Sequence, residues 1–134
     1  MNKWGATGNE MQPTRQGDGL ISWMGTMVRY VRSGQPDLTN RQMAMMMLIY
    51  ADPDPSTVRG LAHKLSVAKP VVTRALNRLG QLGFVRRERD MSDRRNVFIR
   101  RTGKGAEFLD LFDRFIAGSA DESGTESQRG KRTA

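Results

Sequence analysis

The most constraining feature of this chain is a link of three residues, Ser66-Val67-Ala68, between two apolar-striped segments. The first segment starts after Ser56 and points Val58, Leu61, Ala62 and Leu65 to one side. The second, residues 69–82, does the same with Val72, Ala75, Leu76 and Leu79. Both spacings are helical. So short a link forces the second helix to turn sharply across the first, which is a helix-turn-helix. Gly83 follows where a left-handed residue favours helix termination. Residues 84–89 then read as a strand, residues 90–95 as a polar turn and residues 96–101 as a returning strand, with Val85, Val97 and Ile99 inward. The expected fold class is mainly α with a small β-hairpin wing, a winged helix-turn-helix.

Further helices flank this unit. Leu20, Trp23, Met24, Met27, Val28 and Val31 share one face of a helix expected over residues 19–32, ended by Gly34 and Pro36. Thr39 with Gln42 forms a capping box that opens another helix. That helix runs through Met43, Met46, Met47 and Tyr50 to the breaker Asp52-Pro53-Asp54-Pro55. Its methionines suit core packing better than a binding surface. A last helix is expected from Thr102 to about residue 117, with Phe108, Leu111, Phe112 and Phe115 on one side. Residues 1–18 and 118–134 are polar and aperiodic, and read as a flexible arm and a disordered tail around one domain, residues 19–117.

Charge narrows the function. The chain carries a formal net charge of +8. Residues 59–104 hold thirteen basic and three acidic side chains, so one continuous segment generates the imbalance. Such a field attracts polyanions, of which nucleic acid is the commonest. With no cysteine and one histidine, His63, the chain offers no thiolate metal site, disulfide or imidazole pair. No Gly-rich phosphate loop or nucleophile–base pairing is visible, so neither an enzyme nor a cofactor is expected. Its opening residues do not read as a signal peptide, and its most apolar run is too short to span a membrane. A cytoplasmic location is the expectation.

Removing the buried stripe from residues 69–82 leaves Lys69, Pro70, Val71, Thr73, Arg74, Asn77, Arg78 and Gln81 outward. Arg74 and Arg78 can pair bidentately with guanine or neutralise phosphate, Thr73 can hydrogen-bond, and Val71 can pack on a thymine methyl. The N-terminal amides of the same helix also favour an anion, so a phosphate can dock at Lys69 and Pro70. In the hairpin turn, Arg94 and Arg95 project positive charge toward an adjacent minor groove, and Asp90 or Asp93 can preset one of the guanidiniums. Double-stranded DNA is therefore the expected partner. Two other readings stay open: a winged-helix module that docks a protein through its Met-rich or last helix, and a non-specific DNA coat.

The run VAKPVVTRALNRLGQLGFVRRERD and the wing DMSDRRNV resemble the MarR family of bacterial transcription regulators, over residues 38 to about 117. The resemblance implies that the helix of residues 69–82 lies in the major groove and that Arg94 and Arg95 reach the minor groove. It also implies a homodimeric regulator on a pseudopalindromic operator, often a repressor released by a small-molecule effector. Two copies would meet through Leu20, Trp23, Met27 and Val31 of the first helix and Leu109, Phe112 and Ile116 of the last. The chain departs from the family's pattern at Ala68, where a serine usually caps the recognition helix. It departs again at Arg101-Thr102-Gly103-Lys104-Gly105, and by having one C-terminal helix where two are usual.

Overall fold

A computed structural model describes residues 15–120. In chain order the elements are α1 (Arg15–Arg32), α2 (Asn40–Ala51), β1 (Ser56–Thr57), α3 (Val58–Leu65), α4 (Lys69–Gln81), β2 (Val85–Arg89), β3 (Val97–Arg101) and α5 (Gly103–Ala120). They form two compact units. Pro36–Leu111 is the winged unit, and residues 15–35 with residues 112–120 make the other.

In the winged unit each helix boundary has a chemical cause. Thr39 caps α2 by accepting from the Gln42 amide at 3.1 Å, while the Gln42 side chain accepts from the Thr39 amide at 2.9 Å, completing the capping box. Thr57 caps α3 through the Gly60 amide at 3.0 Å. The turn into α4 needs a left-handed residue, and Ser66 supplies it with φ 53° and ψ 47°. The Val67 amide then reaches back to the Ala62 carbonyl at 3.1 Å and the Ser66 amide to His63 at 3.2 Å, a Schellman closure. α4 ends the same way. Gly83 takes φ 78°, the Phe84 amide donates to Leu79 at 2.9 Å and the Gly83 amide to Gly80 at 3.0 Å.

The strands form an antiparallel sheet in the order β1-β3-β2. β1 is an addition to the expected pair. With only two residues, the second of them the α3 cap Thr57, it has no alternation to read, and it exists only through pairing Ser56 with Ile99 and Thr57 with Phe98. The core joins Met43, Met45, Met46 and Ile49 of α2 to Leu61, Val72, Leu76, Leu79, Phe84, Ile99 and Phe108, all buried. The α2 methionines are thus core, although Met45 replaces the expected Met47, which is exposed.

The start of α5 is locked by two hydroxyls. Tyr50 Oη donates toward the Phe84 carbonyl at 2.7 Å, with the Thr102 carbonyl 3.1 Å away, and accepts from the Thr102 amide at 3.0 Å. Thr102 Oγ1 donates to the Gly83 carbonyl at 2.7 Å and caps the Gly105 amide at 3.0 Å. Thr102 therefore caps the helix as expected, and the lock also ties α2 to the α4–β2 turn.

In the other unit, α1 begins at Arg15, four residues before the expected start, and α5 runs on to Ala120. Residues 15–18 and 118–120 are therefore helical, and the rest of the expected arm and tail lies outside the described residues. Tyr30 packs edge-on against Phe112 at 5.2 Å, with Trp23 and Phe115 about the same ring. Arg29 Nε donates to the Phe115 carbonyl at 2.8 Å. Thr26, Tyr30 and Phe112 are buried, whereas Leu20, Ile21, Trp23, Met24, Val28, Val31 and Ile116 are exposed. Phe112, expected between two copies, is instead the centre of its own chain's aromatic cluster. The helical period recognised the α1 stripe but could not say which aromatic residues the chain keeps for itself.

Candidate nucleic-acid interface

All of the candidate interface belongs to the winged unit. α4 buries Val72, Ala75, Leu76 and Leu79 and exposes Lys69, Pro70, Thr73, Arg74, Asn77, Arg78 and Gln81, with Val71 half-buried. Hydrophobic burial therefore fixes the rotation of α4 and leaves a cationic, hydrogen-bonding stripe outward. Among the described residues, Lys69, Arg74 and Arg78 make no ion pair.

The helix start narrows where a phosphate could bind. Pro70 has no N–H, and the Val71 amide already donates to the Ala68 carbonyl at 3.0 Å. Lys69, through its amide and ammonium, is what remains there for a phosphate. Ala68 has the extended geometry of a cap, φ −74° and ψ 152°, but no side chain to complete it. Ala68→Ser should offer the Val71 amide a second acceptor beside the Ala68 carbonyl and raise stability by at most about 1 kcal/mol. A melting temperature several degrees higher is the expected result.

The wing is ordered by its aspartates, though not through the arginines. Asp90 Oδ1 accepts from the Ser92 amide at 2.9 Å and hydroxyl at 2.7 Å, and Asp93 Oδ1 accepts from the Arg95 amide at 3.1 Å. The Asp90 amide donates to Asn96 at 3.1 Å and the Asn96 amide to Asp93 at 2.9 Å, closing the loop. These are Asx-type turns. Both carboxylates are committed to the loop itself, so neither presets a guanidinium, and Arg94 and Arg95 are both exposed without an ion-pair partner among the described residues. Met91 at the tip is 94% exposed.

Two measurements follow from the wing. Arg94→Ala with Arg95→Ala should weaken duplex binding and flatten its salt dependence by up to about two units of slope, with the melting temperature almost unmoved. The Ser92 hydroxyl and amide hold Asp90 below the usual carboxylate range of 3.8. A depressed carboxylate favours the ordered loop above its ordinary pKa and loses that effect as pH falls through the lowered value. The Ser92 amide resonance should therefore keep its folded position at neutral pH and shift only in acid below pH 3.8.

Arg87 was missed by the pattern. It stands on β2 opposite Ile99, and its Nη2 donates to Asn77 Oδ1 at 2.7 Å and to the Thr73 carbonyl at 3.1 Å. These partners lie ten and fourteen residues away, beyond any local period. Arg100 is different: it pairs with Glu88 at 3.1 Å and lies 5.5 Å from the Phe98 ring centre, and Arg86 lies 3.8 Å from the same carboxylate.

A helix-turn-helix with an unpaired cationic stripe, next to an arginine-tipped hairpin in a three-stranded sheet, defines the winged helix-turn-helix class. Residues 38–97 match the MarR family model. No curated protein sequence matches the chain. Among solved structures, MepR of S. aureus in complex with DNA is 22% identical with a TM-score of 0.67, covering 86% of this chain and 94% of that one. The transcriptional regulator Tm0710 from Thermotoga maritima is 24% identical with a TM-score of 0.64, covering 86% and 80%. MarR itself is 24% identical with a TM-score of 0.62, covering 91% and 88%. At these identities the likeness is one of fold.

Proposed function

We propose that this protein is a sequence-specific regulator of transcription that binds double-stranded DNA, laying α4 in the major groove and the wing arginines in the adjacent minor groove. The observation that carries this reading is the outward face of α4: Thr73, Arg74, Asn77 and Arg78 stand exposed on the side opposite a fully buried stripe. These are residue types that read base edges. Lys69, Arg94 and Arg95 supply phosphate and groove electrostatics. The solved MepR–DNA complex shares the fold and supports DNA as the partner.

The protein acts as a homodimer in this reading. Leu20, Met24, Val28 and Val31 lie at i, i+4, i+8 and i+11 of α1, all exposed, with Val31 at 74%. Trp23 and Ile116 are also exposed, and Met27 and Leu109 are half-buried. A continuous apolar stripe on a helix is stable in water when covered, and a second copy covers it symmetrically. A dimer on a pseudopalindromic site represses by occupying the promoter. The role is one of binding rather than catalysis. Among the described residues no helix is long and apolar enough to cross a membrane, and we place the protein in the cytoplasm.

The protein-docking alternative relied on the α2 methionines or the last helix. Met43, Met45 and Met46 are buried in the core, as are Phe108 and Phe112 of α5, which leaves that reading little surface. Salt separates the two. Duplex affinity should fall by about 10³-fold or more between about 50 and about 200 mM salt if six or more phosphates are neutralised. Weak binding indifferent to salt would overturn the DNA reading.

A further inference from the structure

We propose that Arg87 is a positioning residue that fixes the orientation of the Asn77 side-chain amide, so that α4 presents its donor rather than its acceptor at that point. The inference rests on the DNA-reading role of α4 and specifies what Asn77 recognises there.

Arginine is donor-only, so the Asn77 atom facing it at 2.7 Å must be the carbonyl oxygen. The same Nη2 is held by the Thr73 carbonyl at 3.1 Å, one helical turn earlier, so the guanidinium is anchored to the helix it acts on. With Oδ1 turned toward β2, Nδ2 points away from it along the other arm of the planar amide. A free asparagine can read adenine bidentately, donating to N7 and accepting from the N6 amino group. Asn77 is drawn away from that pairing, because Oδ1 is turned toward Arg87 with one of its two lone pairs engaged. It can donate to guanine O6 or N7, and adenine then leaves an N6–H without an acceptor. The predicted preference opposite Asn77 is guanine over adenine.

The experiment uses the full chain and a preferred duplex in which each base pair is replaced in turn by the other three. The position facing Asn77 is the one whose preference changes in Asn77→Ala. There, Arg87→Met, which keeps the apolar stem against the sheet, should reduce the guanine-to-adenine ratio by about fivefold, the worth of one hydrogen bond. Arg87→Lys should retain the ratio, since an ammonium still donates to Oδ1. Asn77→Asp keeps the Arg87 contact but has no donor, and should lose the guanine preference with an unchanged melting temperature, so the proposal stands testable even if Arg87→Met folds poorly. Arg87→Met weakening every duplex by one factor, with the base profile intact, would overturn the proposal and make Arg87 a phosphate contact. A wild-type profile flat at every position would instead overturn the DNA-reading role beneath it.

Discussion

Gly105→Ala should destabilise the protein by about 3 kcal/mol or more, although alanine in a helix ordinarily gains about 1 kcal/mol over glycine. A Cβ at this buried position would collide with the Tyr50 hydroxyl and with the Phe84 carbonyl. Neither can yield easily. Tyr50 Oη is held between Phe84 and Thr102, and the Phe84 carbonyl belongs to the closed turn between α4 and β2. The two routes to relief are breaking the hydroxyl lock or moving the start of α5, and a domain of this size is stable by only about 5–15 kcal/mol. Denaturant unfolding should report the loss as a lower midpoint. Gly80→Ala is the matched control. That glycine is exposed in α4 with nothing within 4 Å of an added Cβ, and the same substitution there should stabilise by about 0.5–1 kcal/mol.

Arg74→Ala combined with Arg78→Ala should reduce affinity for the preferred duplex by about 10²-fold or more, while unfolding stays nearly where it was. Each lost bidentate guanidinium–guanine contact is worth about 1–3 kcal/mol of discrimination, and the two are a helical turn apart. Both side chains are exposed and make no ion pair among the described residues, so their removal takes little from the fold. The informative part is the shape of the loss. Readout of base edges predicts that preference relaxes at particular base pairs, whereas a non-specific coat predicts equal weakening on every sequence.

Local chemistry made much of the winged unit legible. The Thr39–Gln42 box, Gly83 after α4 and the three-residue turn each act within a few residues, so α2, α4 and the turn appear where the pattern puts them. The outward face of α4 was equally readable, because the buried stripe determines it by exclusion. What escaped were contacts between segments far apart in sequence. β1 exists only because β3 pairs with it. Arg87 reads as one more surface cation until β2 lies against α4. Gly105 reads as a weak helix opening, whereas the structure makes it the space Tyr50 needs. The wing aspartates were read by charge as partners of arginines, but loop amides lie nearer in sequence and took them.

Selection of bound duplexes from a random pool at physiological salt tests the central claim most directly. A groove-reading dimer predicts enrichment of an inverted repeat whose half-site centres lie about 10 base pairs apart, one turn of the double helix. Enrichment should disappear for Arg74→Ala with Arg78→Ala. Recovery of a pool no different from the input, by a folded protein at a concentration where it is dimeric, would contradict the account.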